Sequence, residues 1–303
     1  MTKYRVEVDV LCVGHACYDL VFAVTAHPRS DEKIVANELL ECGGGPAANA
    51  AIAVSRLGLK SAFAGYLGND LYGEMHLQEM QQHQIDTQYV VRGECPTPLS
   101  TVLVKPDGQR ALINYKGATK PLSAPAINFS AITAKAILFD GHEPHVSLAL
   151  LELARQQGIP TLLDAGSMHE GTAQLWHRVD YLVASEKFAC QFAGNVKTAL
   201  QRLAEASPAV VVTLGDKGLV WKKGGQAGAL EAFPVAAIDT TGAGDAFHGA
   251  FAAALALDKS WPDILSYASA AGALCCTKMG ARQGLPWQKQ HEHLLQLNPC
   301  QQT

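Results

Sequence analysis

Residues 239–249 read DTTGAGDAFHG, and few chains can build around such a string. A β-branched, apolar run at 235–238 precedes it and predicts a strand; an apolar helix pattern at 246–257 follows it. A strand that feeds a helix through a glycine-rich turn aims several backbone N–H groups at one point, and the helix dipole adds positive potential there. Gly242 and Gly244 allow unusual dihedrals and close approach by a ligand. That arrangement suits a transferring phosphoryl group. Asp245 stands at the mouth of a helix that is apolar nearly all round and is therefore expected to be buried. Amide donors and the dipole favour the charged carboxylate, so Asp245 is expected to stay ionised and to take a proton from a substrate hydroxyl. Asp239, Thr240 and Asp245 also fit plain turn and cap residues, but a cap needs one such residue and the string carries several.

DTTGAGD followed by AFHGAF resembles the signature of the ribokinase and PfkB family of carbohydrate kinases. The resemblance implies an α/β fold of ribokinase-like, three-layer α/β/α type, a mostly parallel sheet with a small β-sheet lid. The whole chain, 1–303, would form one domain, with lid strands from about 15–42 and 96–118. It implies Asp245 as catalytic base, with Gly242, Ala243 and Gly244 as the anion hole for a phosphoryl group passing from ATP to a sugar hydroxyl.

At 303 residues, with 48% hydrophobic and 17% charged residues, the chain can bury a large core and has the balance of an ordinary soluble globule. A net charge of −4 gives no reason to expect nucleic acid or an anionic membrane as partner. No signal peptide is visible at the N-terminus, and no apolar run is long enough to span a bilayer. The eight cysteines form no CxxC pair and are read as mostly small buried side chains, which fits a reducing cytoplasm.

Residues 8–14 predict a buried first strand, and Asp19 follows it, where open α/β sheets bind ligands. The resemblance implies that Asp19 grips sugar hydroxyls; read alone, a surface loop acid is the commoner explanation. Residues 34–41 are extended in pattern, and Gly43, Gly44, Gly45 and Pro46 then open a helix that runs to Leu57 with Gly58 as its stop. The string GGGPAANAAIAVSRLG resembles the family's other signature and implies that Gly44, Gly45 and Asn49 lie on the substrate, although Asn49 alone could bond the local backbone. Pro46 stands where ribokinases proper usually carry lysine, which disfavours ribose. Residues 61–66 predict a strand. Gly68 to Gly73 has part of the Walker A spacing, but Glu74 and Met75 replace the Lys and Ser/Thr, so no P-loop is expected. Strand patterns at 100–105 and 111–115 flank a turn at 106–108 and, with 34–41, resemble the family's lid, whose closure would exclude water. Asn114 on the second of these strands either reaches substrate or is solvated.

From residue 137, short strands at 137–140, 161–164, 181–184 and 210–214 alternate with helical stretches at 146–156, 186–192 and 197–206, the pattern of a parallel sheet covered on both faces. TLGDKG at 213–218 resembles the family's nucleotide loop and implies Thr213, Gly215 and Gly218 near ATP; alone, it also fits a strand-to-hairpin turn. Where the family carries an NxxE motif, this chain has Ser185, Glu186, Lys187 and Phe188. Ser185 can still hydrogen-bond near the nucleotide, but no protein ligand is assigned to the Mg²⁺ expected with ATP. Residues 261–276 predict another buried helix and 277–286 a loop. The resemblance implies a monovalent-cation site, for K⁺, at Asp239, Thr241, Thr277 and Gly280. The tail from Gln288 predicts a last helix and a frayed end.

GGGPAA, INY, DTTGAGDxFHGA and CTxxGxRxG together look similar to sulfofructose kinases within the family. A sulfonate needs cations, and Lys33 and Arg282 are the candidates, although long basic side chains are usually solvated. The arginine which that subfamily places just after the strand ending here at Asp140 is replaced by Gly141, His142 and Glu143; His142 offers one hydrogen bond in place of a bidentate clamp. The expectation is therefore a kinase for a ketose or related small sugar, acting at a primary hydroxyl. A nucleoside kinase on the same fold and a non-catalytic sugar sensor are the alternatives, and Asp245 argues against the sensor. A lid strand edge needs covering, so a homodimer through the lid is expected.

Overall fold

The computed structural model describes residues 6–298. The chain opens with β1 (Val6–Val13), whose alternate residues enter two different cores: Val10 and Cys12 face one layer, Leu11 and Val13 the other. It then leaves for a small sheet through β2 (Cys17–Ala23) and β3 (Glu38–Gly44), and re-enters the body with α1 (Pro46–Arg56). β4 (Ser61–Gly68), α2 (Leu71–Gln82) and β5 (Asp86–Gly93) follow, and β6 (Leu99–Val104) and β7 (Arg110–Tyr115) complete the small sheet. The alternating half runs β8 (Ile132–Phe139), α3 (Pro144–Gln157), β9 (Thr161–Ala165), α4 (Glu170–Leu175), β10 (Tyr181–Ser185), α5 (Glu186–Ala193), α6 (Val196–Leu203) and β11 (Ala209–Thr213). A hairpin of β12 (Leu219–Lys223) and β13 (Gln226–Leu230) leads to α7 (Ala243–Ala256), α8 (Trp261–Cys275), α9 (Ala281–Gly284) and α10 (Gln288–Leu297).

Among the described residues the large sheet has nine strands in the order β13-β12-β11-β10-β9-β8-β1-β4-β5, with every pairing parallel except β11–β12 and β12–β13. One core lies under α1, α7 and α8, the other under α3, α5 and α6. The small sheet is ordered β3-β2-β6-β7, with β2 and β6 parallel. The α/β/α layering and the separate small sheet expected from the sequence are both present.

Four features depart from the sequence reading. No strand forms at 235–238. Pro234 has no N–H to give a ladder, and the Ile238 amide bonds Cys276 O instead, 2.7 Å away. Asp19 follows β1 but belongs to β2 of the small sheet, not to the edge of a central strand. Residues 34–37 are irregular, so that edge strand starts at Glu38, and the 277–286 loop contains α9. The α2–β5 segment and α4 were not anticipated, while the strand-to-hairpin turn that 213–218 also fitted leads into the β12–β13 hairpin. The tail does form α10; the end expected to fray lies outside the described residues. Cys12, Cys17, Cys42 and Cys275 are buried free thiols, while Cys190 is exposed.

Small residues set the depth of the contact that matters most. A Cβ on Gly249 of α7 would meet Ala50 O at 2.7 Å and Ala53 Cβ at 2.9 Å, both on α1. The bare glycine lets the two helices approach closely, and their N-terminal turns consequently meet.

Candidate active site

At that meeting point Asn49 Nδ2 donates to Asp245 Oδ2 over 2.6 Å. Asn49 is buried, and its Oδ1 has no protein partner. Gly242 caps α7 with φ of 79°, and a Cβ there would meet Ala281 of α9 at 2.5 Å, so only glycine suits the position. The first closed turn is Ala246 N to Gly242 O, which leaves the amides of Gly244 and Asp245 without an intrahelical acceptor. Gly244 is exposed, and a Cβ on it would point into open space. Bare amides, a half-buried carboxylate and room for a ligand therefore share one point. Burial pushes the Asp245 carboxyl above its ordinary value, with Asn49 and then His248 pulling the other way. The direction is opposite to the one that the donors and dipole favour, because burial outweighs them.

The opposite wall of the site is built from the small sheet and α1. Asp19, Ser100 and Asn114 stand opposite one another on β2, β6 and β7, so their side chains share a face. Asp19 is buried and accepts from Cys17 Sγ; its carboxyl is raised by burial, against the pull of Cys17 and Arg282. Gly44 has no room for a side chain, because a Cβ would lie 2.2 Å from the Asp19 carboxylate, and Gly45, with φ of 97°, turns the chain from β3 into α1. Asn114 is exposed on the same row. Lys33 stands exposed in the β2–β3 loop. Arg282 is not solvated, as long basic side chains usually are: it is 3% exposed, with Nε donating to Gly43 O at 2.9 Å and lying 3.2 Å from Glu79 Oε1.

Asp140, to which sequence reasoning gave no role, organises this side. Its Oδ2 accepts from the His15 and Ala47 amides and its Oδ1 from the His142 amide, tying the ends of β1 and β8 to the N-terminus of α1. The His142 ring stacks on His169, centroids 4.6 Å apart at 9°, and lies 5.1 Å from the His15 ring. Burial and the His142 neighbour depress His15 to about 3 and His169 to about 4, so both are neutral imidazoles at pH 7. Next to them burial raises Glu143 to about 7. The only sequence signal for Asp140 was its place as last residue before the Gly141 turn.

Beyond Gly244 opens a cleft of about 510 Å³, lined by Thr213, Gly215 and Gly218 and walled by Phe233, Val235 and Phe247. The apolar segment misread as a strand thus forms one wall. Ser185 does not line this cleft: its hydroxyl accepts from the Phe188 amide as the α5 cap and donates to Gly166 O. Asp239 is buried, with Oδ1 on the Thr241 amide and hydroxyl and Oδ2 on the Gly280 amide. Thr277 Oγ1 donates to Leu274 O. Arg110, from β7, donates to Thr241 Oγ1 over 2.7 Å, so the small sheet touches the glycine-rich turn before α7. Among the described residues no cluster of three or more His, Cys, Asp or Glu side chains could hold a metal, and no helix is long and apolar enough to cross a membrane.

Known proteins share this fold. The family model for pfkB family carbohydrate kinases matches residues 8–288. Ribokinase of Bacillus subtilis is 26% identical over 292 residues, covering 95% of this chain and 99% of that protein. Fructokinase-1 of Zea mays is 32% identical over 279 residues, covering 82% and 86%. A putative ribokinase from Agrobacterium tumefaciens superimposes with a TM-score of 0.88 at 30% identity, over 96% of this chain and 98% of that one. Ribokinase of Arabidopsis thaliana, solved in complex with ribose and ATP, gives 0.81 at 26% identity over 96% and 99%. With the fold, the glycine-capped helix and the paired carboxylate and amide all in place, the chain belongs to the pfkB family of carbohydrate kinases.

Proposed function

We propose that this protein transfers the terminal phosphoryl group of ATP to a hydroxyl of an uncharged ketose or related small sugar, and that the chain acts as one ribokinase-like unit, 1–303, with the small sheet as its lid. The observation that carries the reading is Asp245, hydrogen-bonded to Asn49 on one oxygen, beside the open amides of Gly244 and Asp245. Its second carboxylate oxygen takes the proton of the sugar hydroxyl, and the Gly242–Gly244 turn stabilises charge on the moving phosphoryl group. The Asp19, Ser100 and Asn114 row, with Gly44, Gly45 and the unpartnered Asn49 Oδ1, orients the hydroxyls. ATP fits the cleft at Thr213, Gly215 and Gly218, where Gly244 leaves space that a side chain would fill.

Mg²⁺ bound with ATP would supply charge neutralisation, and no side chain of this protein is assigned to it. K⁺ at the Asp239, Thr241, Thr277 and Gly280 loops would use main-chain carbonyls, since the side-chain oxygens there are already hydrogen-bonded. Free buried thiols fit a reducing cytoplasm.

Neutral imidazoles at His15 and His169, against the stacked His142, and an Arg282 already paired with Glu79 disfavour a sulfonate or phosphate on the acceptor. An ADP-release screen over ketoses, their phosphates, sulfofructose and nucleosides tests this, with turnover expected on an uncharged ketose. Asp245→Asn should lower kcat by roughly 10²–10⁴-fold while sugar affinity, measured calorimetrically, is retained. Wild-type turnover in that variant would sink the assignment.

A further inference from the structure

His248 lies on α7, three residues after Asp245 and buried at 4% exposure. Its Nδ1 is 2.6 Å from Gly244 O and 3.3 Å from Asp164 Oδ2, and its Nε2 is 3.2 Å from Val183 O. A neutral imidazole has one N–H and one lone pair. With the proton on Nδ1, the Nε2 lone pair faces the Val183 carbonyl; with it on Nε2, the Nδ1 lone pair faces Gly244 O at 2.6 Å. Either tautomer leaves one buried contact between two lone pairs, and the doubly protonated ring leaves none.

The surroundings supply a counter-charge. Asp164 faces the ring from β9, Asp140 comes from the end of β8, and Asp245 stands on α7 itself; Arg110, reaching in from β7, also acts on Asp245. Burial pushes the Asp164 carboxyl up to about 7, against the pull that a charge on His248 exerts. The contact to Gly244 has a second effect. Gly244 O and the Asp245 N–H belong to one peptide plane, so holding the carbonyl fixes the direction of an amide at the phosphoryl site.

We propose that His248 is carried as a buried imidazolium paired with Asp164, and that it positions the Gly244–Asp245 peptide and offsets the ring of carboxylates around the base. It is a positioning residue, touching neither sugar nor nucleotide, and its kinetic part rests on Asp245 acting as the base described above.

Selective ¹⁵N-histidine labelling of the whole wild-type protein reads the protonation directly, with the His248 ring assigned through its backbone. Both ring nitrogens are expected to carry protons at pH 7.5; a neutral tautomer there overturns the proposal, whatever the protein phosphorylates. The kinetic part is read from kcat against pH in Asp164→Asn and His248→Asn. In His248→Asn, loss of the cation removes an attraction that favours ionised Asp245, so the acid limb is expected to move up by about one pH unit, whereas Asp164→Asn removes a like charge and is expected to move it down, with sugar KM changed by less than about twofold in both. A pH-independent fall in kcat would reduce His248 to a packing residue and overturn the charge role. Should either variant fail to fold, the wild-type spectrum still decides the protonation state. Turnover surviving in Asp245→Asn would remove the base assignment while leaving the spectrum intact.

Discussion

Three backbone amides from three segments converge on Asp140, and beside it Glu143 is held in conditions that suit a neutral acid. Burial lifts Glu143 from 4.5 to about 7, so the folded protein binds the extra proton between those values and loses stability as pH rises through them. Glu143→Gln should therefore raise Tm relative to wild type at pH 8, by the equivalent of roughly 1–3 kcal/mol, and leave it unchanged at pH 4. Calorimetry at the two pH values checks this. Neither residue was legible as part of the site, because a carboxylate that bonds amides from distant segments leaves no local pattern. Asp245, Gly242 and Gly244 were legible for the opposite reason: their chemistry is written within one turn of chain. Asp19 was singled out by its position after β1, within the 15–42 span expected to give lid strands, although β2 itself was not delineated.

At the scale of elements, Gly68 and Gly73 have part of the Walker A spacing without its Lys and Ser/Thr, and the structure gives the segment a different role. Asp70 caps α2 by accepting from Gly73 N, and also accepts from the Thr97 amide and hydroxyl, so it fastens α2 to the linker that enters the small sheet. A side chain on Gly73 would meet Gly68 O at 2.2 Å. Asp70→Ala should cost about 2–3 kcal/mol in urea unfolding at pH 7. Burial opposes the Asp70 charge, but the Thr97 and Gly73 bonds hold its carboxyl below 3.8. Its contribution is complete above that value and is lost as pH falls through the lower native one. The α2–β5 segment escaped sequence reading because α2 buries only Gly73, His76 and Met80, too few to stamp a helical period on a polar stretch. The strand wrongly expected at 235–238 shows the converse: Ile238 is β-branched, yet it is 55% exposed and pairs with Cys276 outside any ladder.

At the scale of the whole molecule, the small sheet is apolar on both faces. Val21 and Val102 face inward and are buried, while Leu39, Ile113 and Tyr115 stand exposed on the other side, Ile113 at 68%. β3 and β7 are free edges of that sheet. A dimer through this face is our reading of that surface. Ile113→Lys should then sediment as a monomer where wild type sediments as a dimer, with Tm changed by less than about 2 °C at a site so exposed. Wild type running as a monomer at micromolar concentration would end that reading.

Gly45 alone separates the end of β3 from the start of α1, and Asn49 sits in the first turn of that helix. On the function proposed above, the lid over the sugar and the amide that clasps the base are therefore neighbours in the chain as well as in space. One short stretch of sequence would then serve both the exclusion of water and the removal of the sugar's proton.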